Sequence, residues 1–355
     1  MAAHAQWRVR RTWARSPDRS EPIVFAGRTT REIVNAARGA NPVVSRVAGL
    51  VAGLAVLFGA SACAGATRDQ GVRDQAMRDP AVREAGNAIV DDFGDTLRLT
   101  EPARRIVSLN PVTTEALFAI GAGARVVGRT HWDASPAAVR TVTDLGNGIQ
   151  PNVEAVLAVR PDLVVLYAAE SNRAAAAAFH RAGVQTLTLR TDHVADLERA
   201  LRDLGRATDQ SLQAQLVSDS VRVSLDAVRA MLSPSPPASV FWHVWDEPVI
   251  TIGAGSYLDE LLTIVKARNA FGDLQQPSPQ VTLEAVARRN PDFVLAGPRT
   301  AARLRTDARW QVVDAVRQGR VLVYDTTLVG RPGVRLGEAA RSLRLLIDSA
   351  MRARR

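Results

Sequence analysis

At 355 residues, 46% of them hydrophobic, the chain exceeds a single hydrophobic core and has room for two domains plus appendages. Its formal charge of +9 invites a nucleic-acid reading, but residues 1–62 hold nine Arg against Asp18, Glu21 and Glu32 and leave only +3 for the remainder. No Lys/Arg run interleaved with aromatics occurs there, which excludes a nucleic-acid binder, and the single cysteine, Cys63, excludes an internal disulfide.

The amino end reads as a leader. Val47 to Ala60 is apolar and uncharged, follows Arg46, and ends in Ala60-Ser61-Ala62 just before Cys63. Fourteen residues suit a secretion segment better than a mature membrane span, so the protein is expected to be exported. Cys63 resembles the lipid-modified cysteine of bacterial lipoproteins, although Ala60 stands where that pattern prefers Leu; plain cleavage at the A-x-A site is the alternative. Residues 1–44 carry scattered Arg, Pro and Gly without a sustained period, and translation is expected to start near Val43 or Val44. From Ala64 to about Asn87 the chain is polar, with Arg68, Arg73, Arg78 and Arg83 each followed by Asp or Glu, the composition of a solvated tether.

A β-hairpin is predicted next, with Ile89-Val90 and Thr96 to Leu99 flanking a turn at Asp92 to Asp95. Strand, helix and strand follow at Arg105–Leu109, Thr113–Ile120 and Arg125–Gly128, then helix Val153–Val159, strand Leu163–Tyr167, helix Arg173–Ala182 and strand Gln185–Leu189. This alternation implies a parallel sheet. Between Asp209 and Leu232, apolar residues at 212, 216, 221, 225, 228 and 232 predict an uninterrupted helix about 35 Å long, closed by the Ser233 to Pro237 run. Strands Val240–Trp245 and Val249–Ile252, a helix from Tyr257, a helix around Ala308–Arg317, strand Val321–Tyr324 and helix Leu336–Met351 complete a second lobe. Gly253-Ala254-Gly255-Ser256 reads as a turn between strand and helix.

Residues 153–168 recur 130 positions later at 283–298. VEAVLAVRPDLVVLYA and LEAVARRNPDFVLAGP share Glu154/Glu284, Ala155/Ala285, Val156/Val286, Pro161/Pro291, Asp162/Asp292 and Val164/Val294. Each copy predicts a short helix, a Pro-Asp break and a buried strand, hence two similar α/β lobes with a cleft between them in which a ligand can sit. The expected organisation is a leader and signal peptide at 1–62, a lipoprotein tether at 63–87, an N-terminal lobe at 88–208, a connecting helix at 209–233 and a C-terminal lobe at 234–355.

In this order, DDFGDTLRL, RRIVSLNPVTTEALFAIGAGARVVGRT, the two repeat blocks and the closing RLGEAARSL resemble the substrate-binding proteins of ABC importers for metal chelates, over about Ile89 to Met351. The resemblance implies an α/β fold of two Rossmann-like lobes with central parallel sheets, joined by one long backbone helix. It implies capture of a cobalt- or iron-containing chelate and delivery to the importer's permease subunits by a monomer in the periplasm or at the outer face of the cytoplasmic membrane, with a lipid anchor at Cys63. It implies no catalysis and no cofactor of the protein's own. An enzyme on the same two-lobe architecture is the alternative.

Glu154 and Glu284 follow the N-capping residues Asn152 and Thr282, so each carboxylate favours the positive end of a helix dipole. In the family, a glutamate at each position meets arginines of the permease. The cleft should be lined by loops at the carboxyl ends of strands, which nominates Asn110, Trp132, Trp245 and Arg331 as ligand-binding residues. Aromatic faces suit a large chelate, and Arg331 aligns with a ligand-contacting arginine of cobalamin-binding relatives. Tryptophans of those relatives are here Gly148 and Ser278, and the tyrosine with which some haem-binding relatives ligate iron is missing from the Gly146–Pro151 loop. Cobalamin, another corrinoid or a ferric siderophore is therefore favoured over haem. The five histidines show no metal-ligand spacing; His131 and His243 are the two that strand-end placement puts near the cleft as candidate axial ligands.

Overall fold

The computed structural model describes residues 88–232 and 236–354. The leader, Cys63 and the tether lie outside the described residues. The expected hairpin is present as β1 (Ala88–Val90) and β2 (Thr96–Arg98). Its turn is tied by Asp91 Oδ1, which accepts from the amides of Phe93 and Asp95, with Gly94 at φ +86.

Strands β3 (Ile106–Ser108), β4 (Val126–Arg129), β5 (Thr143–Asp144), β6 (Leu163–Tyr167) and β7 (Gln185–Leu189) form a five-stranded parallel sheet in the order β5-β4-β3-β6-β7. Helices α1 (Pro111–Ala119), α2 (Val153–Ala158), α3 (Arg173–Arg181) and α4 (Val194–Ala207) alternate with them. The strand order reverses between β3 and β6, so the crevice beyond their carboxyl ends is the topological switch point where open α/β sheets bind ligands. Helix α4 escaped the sequence reading, although Leu197, Leu201 and Leu204 mark one buried face.

Helix α5 (Ser211–Ala230) is 20 residues long, about 30 Å rather than the 35 Å expected, because Asp209 takes φ +56 and separates it from α4. The expected apolar stripe is correct only in its second half. Val221, Leu225 and Val228 are buried, but Leu212, Leu216 and Leu232 are 67%, 59% and 95% exposed. Close packing on α4 turns Leu212 and Leu216 outward: a Cβ on Gly205 would lie 2.6 Å from Ala214 Cβ, so the small Ala214 faces inward, while Leu232 lies beyond the end of α5.

The second sheet holds β8 (Ser239–Trp242), β11 (Arg268–Asn269), β12 (Phe293–Ala296) and β13 (Val321–Val323), parallel in the order β11-β8-β12-β13. The predicted strand to Trp245 breaks after Trp242. The His243 amide still bonds to Leu295 O, but Val244 N turns to Ile250 O, starting a separate antiparallel ribbon of β9 (Trp245–Asp246) and β10 (Val249–Ile250). Helices α6 (Tyr257–Ile264), α7 (Leu283–Arg289), α8 (Pro298–Thr306), α9 (Asp314–Arg317), α10 (Thr326–Val329) and α11 (Leu336–Ala353) complete the lobe. The helix expected around Ala308–Arg317 is divided into a 3-10 turn, Ala308–Val312, and α9. One apolar cluster joins the two sheets through α4, α5 and α11, using Leu201, Leu225, Leu343 and Ile347 among others.

His243 is 2% exposed in the core of the second lobe, edge-on to Phe241 and Trp310, so it is not a cleft ligand. Burial, reinforced by the Arg303 guanidinium, pulls its pKa down to about 4. Asp246 Oδ1 lies 2.9 Å from Nε2 but off the hydrogen-bonding direction, and Asp246 is engaged by Arg303. The folded protein keeps this imidazole neutral while the unfolded chain protonates it near 6.5. The unfolded state therefore binds more protons below that pH, and this contribution to stability, complete above about 6.5, declines by about 3 kcal/mol as pH falls to about 4. Urea unfolding from pH 7 to 4.5 should show the midpoint falling less steeply in His243→Phe than in the wild type; parallel declines would place the acid sensitivity elsewhere.

Candidate functional site

The repeated blocks occupy equivalent places. In each, a polar cap starts the helix: Asn152 Oδ1 accepts from Ala155 N at 3.1 Å and Thr282 Oγ1 from Ala285 N at 3.2 Å. Each helix then ends at a left-handed residue, Arg160 (φ 48) or Asn290 (φ 42). The following Pro-Asp step grips the central strand of its own sheet. Asp162 accepts from the amides of Arg104 and Arg105 and donates its amide to Arg105 O; Asp292 accepts from Ser239 N and donates to Ser239 O. Glu154 and Glu284 occupy the first turn of α2 and α7, both exposed. Hydrogen bonds from its own amide and from Thr282 hold the Glu284 carboxyl below its usual range. Because α2 and α7 run against the strands that follow them, both glutamates stand at the carboxyl edges of their sheets.

At that edge lies a cavity of about 550 Å³ walled by both lobes. Asn110, Tyr167, Thr191, Asp192 and His193 come from the first lobe, and Gly255, Tyr257, Pro277, Gly330 and Arg331 from the second. Asn110 follows β3 and Tyr167 ends β6, so the cavity opens on the switch point of the first sheet. A larger depression of about 660 Å³ is lined by Arg105, Phe118, Val126 and Arg160. It belongs to one lobe and sits at the amino ends of the strands, the wrong edge for ligand capture in this architecture.

Of the four residues nominated for ligand contact, the cavity brings together Asn110 and Arg331. Asn110 caps α1, accepting from Val112 N at 3.0 Å, and its Nδ2 donates to Thr191 Oγ1 at 3.2 Å. Arg331 Nη1 donates to Trp132 O at 3.4 Å, which places Trp132 beside the cavity although its ring is not in the wall. Trp132 is 59% exposed with the His131 ring against it, 4.3 Å between centroids. Trp245 is 61% exposed and is also outside the wall. Trp242, of opposite parity along the expected strand, is fully buried and donates to Tyr324 Oη at 3.0 Å.

Among the wall residues that the sequence reading missed are Tyr167, Asp192, His193 and Tyr257. The first three were available to the strand-end rule, since they end β6 or follow β7. Tyr167 Oη donates to Asp192 Oδ1 at 2.6 Å, and burial together with that carboxylate pushes the phenol up to about 12. Tyr257 Oη donates to Val329 O, and burial pushes it up further. Neither is a phenolate at neutral pH.

The lobes also meet through charge. His193 Nδ1 is 2.7 Å from Glu260 Oε1, and Glu260 Oε2 accepts from Val194 N at 2.9 Å. A carboxylate of the second lobe thus caps α4 of the first. On the other side of the cleft, Glu115 accepts from Ser135 Oγ at 3.3 Å and reaches Gly333, where a Cβ would lie 2.4 Å from its Oε2. Burial raises the Glu115 carboxyl, with Arg335, Ser135 and Arg331 opposing. Burial likewise raises Asp133, whose Oδ2 accepts from Thr130 while Oδ1 is buried without a partner.

Two parallel sheets, a shared core and a cleft at their carboxyl edges are the architecture of a two-lobed binding protein, and a sequence profile described as periplasmic binding protein matches residues 106–328. The chain belongs to the periplasmic binding protein family. This binding protein is 30% identical to the uncharacterised ABC transporter substrate-binding lipoprotein YvrC of Bacillus subtilis, over 72% of this chain and 83% of that one. It is 24% identical to the vitamin B12-binding protein of Vibrio cholerae, over 68% of this chain and 88% of that one. Among solved structures it resembles the apo periplasmic heme-binding protein RhuT of Roseiflexus sp. RS-1, at 22% identity, with a TM-score of 0.64 over 70% of this chain and 99% of that one.

Proposed function

We propose that this binding protein is the extracytoplasmic substrate-binding component of an ABC importer, capturing a metal chelate in the inter-lobe cleft and delivering it to the permease. The observation that carries this reading is the cavity at the switch point, walled by both lobes and furnished with an arginine, an asparagine and two tyrosines. Among the described residues no group of three or more His, Cys, Asp or Glu is placed to hold a metal ion. The metal therefore arrives already chelated. A corrinoid such as cobalamin or a ferric siderophore fits this reading better than haem, because both wall tyrosines keep their protons and residues 146–151 contain none. In the same reading the protein works as a monomer, Cys63 carries the lipid, residues 63–87 tether it, and lobes at 88–208 and 234–355 flank the connecting helix. Among the described residues no helix is long and apolar enough to cross a membrane.

Titration of the purified protein with cyanocobalamin and ferric siderophores, followed by tryptophan fluorescence, should give saturable 1:1 quenching without turnover. Trp132, exposed beside the cavity, is the expected reporter. Chemical conversion of the bound chelate would favour the enzyme alternative instead.

A further inference from the structure

The first lobe is electrostatically polarised along its strands. In the contiguous run β4-β3-β6-β7, each strand is preceded within four residues by an arginine: Arg125, Arg105, Arg160 and Arg181. Neighbouring strands lie about 4.8 Å apart, so these residues form a row roughly 14 Å long across the amino edge of the sheet. Arg98 extends it, since it ends β2 opposite Ala88, and Arg206 at the foot of α4 donates to Ala88 O at 2.8 Å. None of Arg98, Arg105, Arg125, Arg160 and Arg181 has an acidic partner among the described residues. Arg105 donates to the carbonyls of Val159 and Arg160, and Arg125 to those of Ala103 and Thr208. That structural role accounts for two of the arginines and neutralises none. Among the described residues the acids at this edge are Glu101, which faces Arg104 at 3.6 Å, Asp162, which is engaged by the Arg104 and Arg105 amides, and Asp209. The opposite edge is acidic, with Asp95, Asp144, Glu154 and Glu170 exposed.

We propose that the amino edge of the first lobe is a docking surface for an anionic phospholipid bilayer, with the arginine row meeting headgroup phosphates. This rests on the reading above of an exported protein anchored through Cys63. The chain enters the fold at this same edge, through Ala88 beside Arg206, and residues 64–87 reach at most about 80 Å, so a lipid on Cys63 keeps the row within that distance of a membrane. Between Arg105 and Arg160 the depression of about 660 Å³ opens, with Phe118, Val126 and Val142 among its walls. It offers a phosphate two cations and the adjoining glycerol an apolar surface. Guanidinium forks bond phosphate oxygens bidentately, and each basic side chain beside an anionic leaflet adds attraction until salt screens it. Glu154 stands at the opposite edge. A molecule lying on the bilayer by this surface therefore holds that glutamate away from the membrane, and lipid contact excludes permease docking by the first lobe.

The mature chain, residues 63–355 with Cys63→Ser so that no lipid anchors it, is sedimented with vesicles of phosphatidylcholine alone and of phosphatidylcholine mixed with phosphatidylglycerol. The wild type is expected to bind only the mixed vesicles, and to lose about tenfold or more in affinity as salt is raised. Arg98→Glu with Arg160→Glu and Arg181→Glu should bind at least about tenfold more weakly. The same number of reversals in the second lobe, Arg268→Glu with Arg299→Glu and Arg341→Glu, should stay within about twofold of wild type. Equal melting temperatures show that both variants fold, and the neutral-vesicle and salt arms need neither variant. Equal binding to neutral vesicles, no binding to either kind, or equal loss in both triple variants overturns the docking surface. Displacement of the wild type by glycerol 3-phosphate also overturns it, because the site would then be a pocket for a free anion. Titration of the same proteins with chelate keeps the two readings apart. Intact chelate binding without vesicle binding sinks this inference alone, and vesicle binding by a chain that takes no chelate sustains the docking surface while the chelate reading falls.

Discussion

Cells carrying Glu154→Ala together with Glu284→Ala are expected to lose chelate uptake, while the purified double variant binds its chelate within about twofold of wild type, the span of ordinary surface substitutions. The reason is positional. The two carboxylates are exposed, one per lobe, in matching first helical turns at the carboxyl edges of the sheets, and neither lines the cavity. Their capping contribution is small, since Asn152 and Thr282 each already satisfy a first-turn amide and both carboxylates are exposed to solvent. A paired acidic surface outside the ligand site is suited to a partner presenting matched cations, as in the importer family. Single substitutions should reduce uptake partly, and Glu→Lys at either position more severely than alanine, because repulsion is added to a lost contact. Whole-cell uptake alongside equilibrium titration separates the steps. Preserved uptake in the double variant, or lost affinity with intact permease binding, would refute the assignment.

Arg344→Ala should be the most destabilising single change, at about 3–5 kcal/mol by urea unfolding, the usual cost of breaking a buried charge pair. Arg344 is 1% exposed in α11. Its guanidinium donates to Asp348 Oδ2 at 2.8 Å, to Val265 O at 3.1 Å just past α6, and to Leu232 O just past α5. One side chain therefore ties the ends of α5 and α6 to the middle of α11 where the connecting helix enters the second lobe. Its removal leaves Asp348 without its cation and two carbonyls unpaired. Arg344→Met with Asp348→Leu should recover much of the loss, since an apolar pair carries no desolvation cost. A single-variant loss under about 1 kcal/mol would mean that water satisfies these groups. Close packing of α11 on α5, where a Cβ on Gly337 would lie 1.8 Å from Ser224 Oγ, supports the same rigid junction.

Much of this architecture is legible in the chain because local rules govern it. Asn110 before Pro111, Asn152, Thr282 and Ser256 each cap the helix their position announces. The Pro-Asp steps of the repeat carry the same bonds in both lobes, so the duplication is structural in detail. The departures occur where distant segments decide. The leucines at 212 and 216 have helical spacing yet face outward, because contact between Ala214 and Gly205 sets the rotation of α5. Trp245 follows Trp242 closely enough to continue a strand, but Val244 finds Ile250 O as its acceptor instead. His243 has the strand-end position of a ligand and the burial of a core residue.

For the candidate site the division is the same. Asn110 and Arg331 could be nominated because strand-end loops converge at a sheet's carboxyl edge whatever their neighbours. His193 was open to the same rule, but its contact with a carboxylate 67 positions away in the other lobe was not legible. Spacing along a chain encodes helix faces, caps and strand order, which depend on residues a few positions apart. Which carboxylate stands beside an imidazole or a phenol depends on groups that only the tertiary fold brings within 3 Å: Glu260 reaches His193 from the other lobe, and Asp192 reaches Tyr167 within the first.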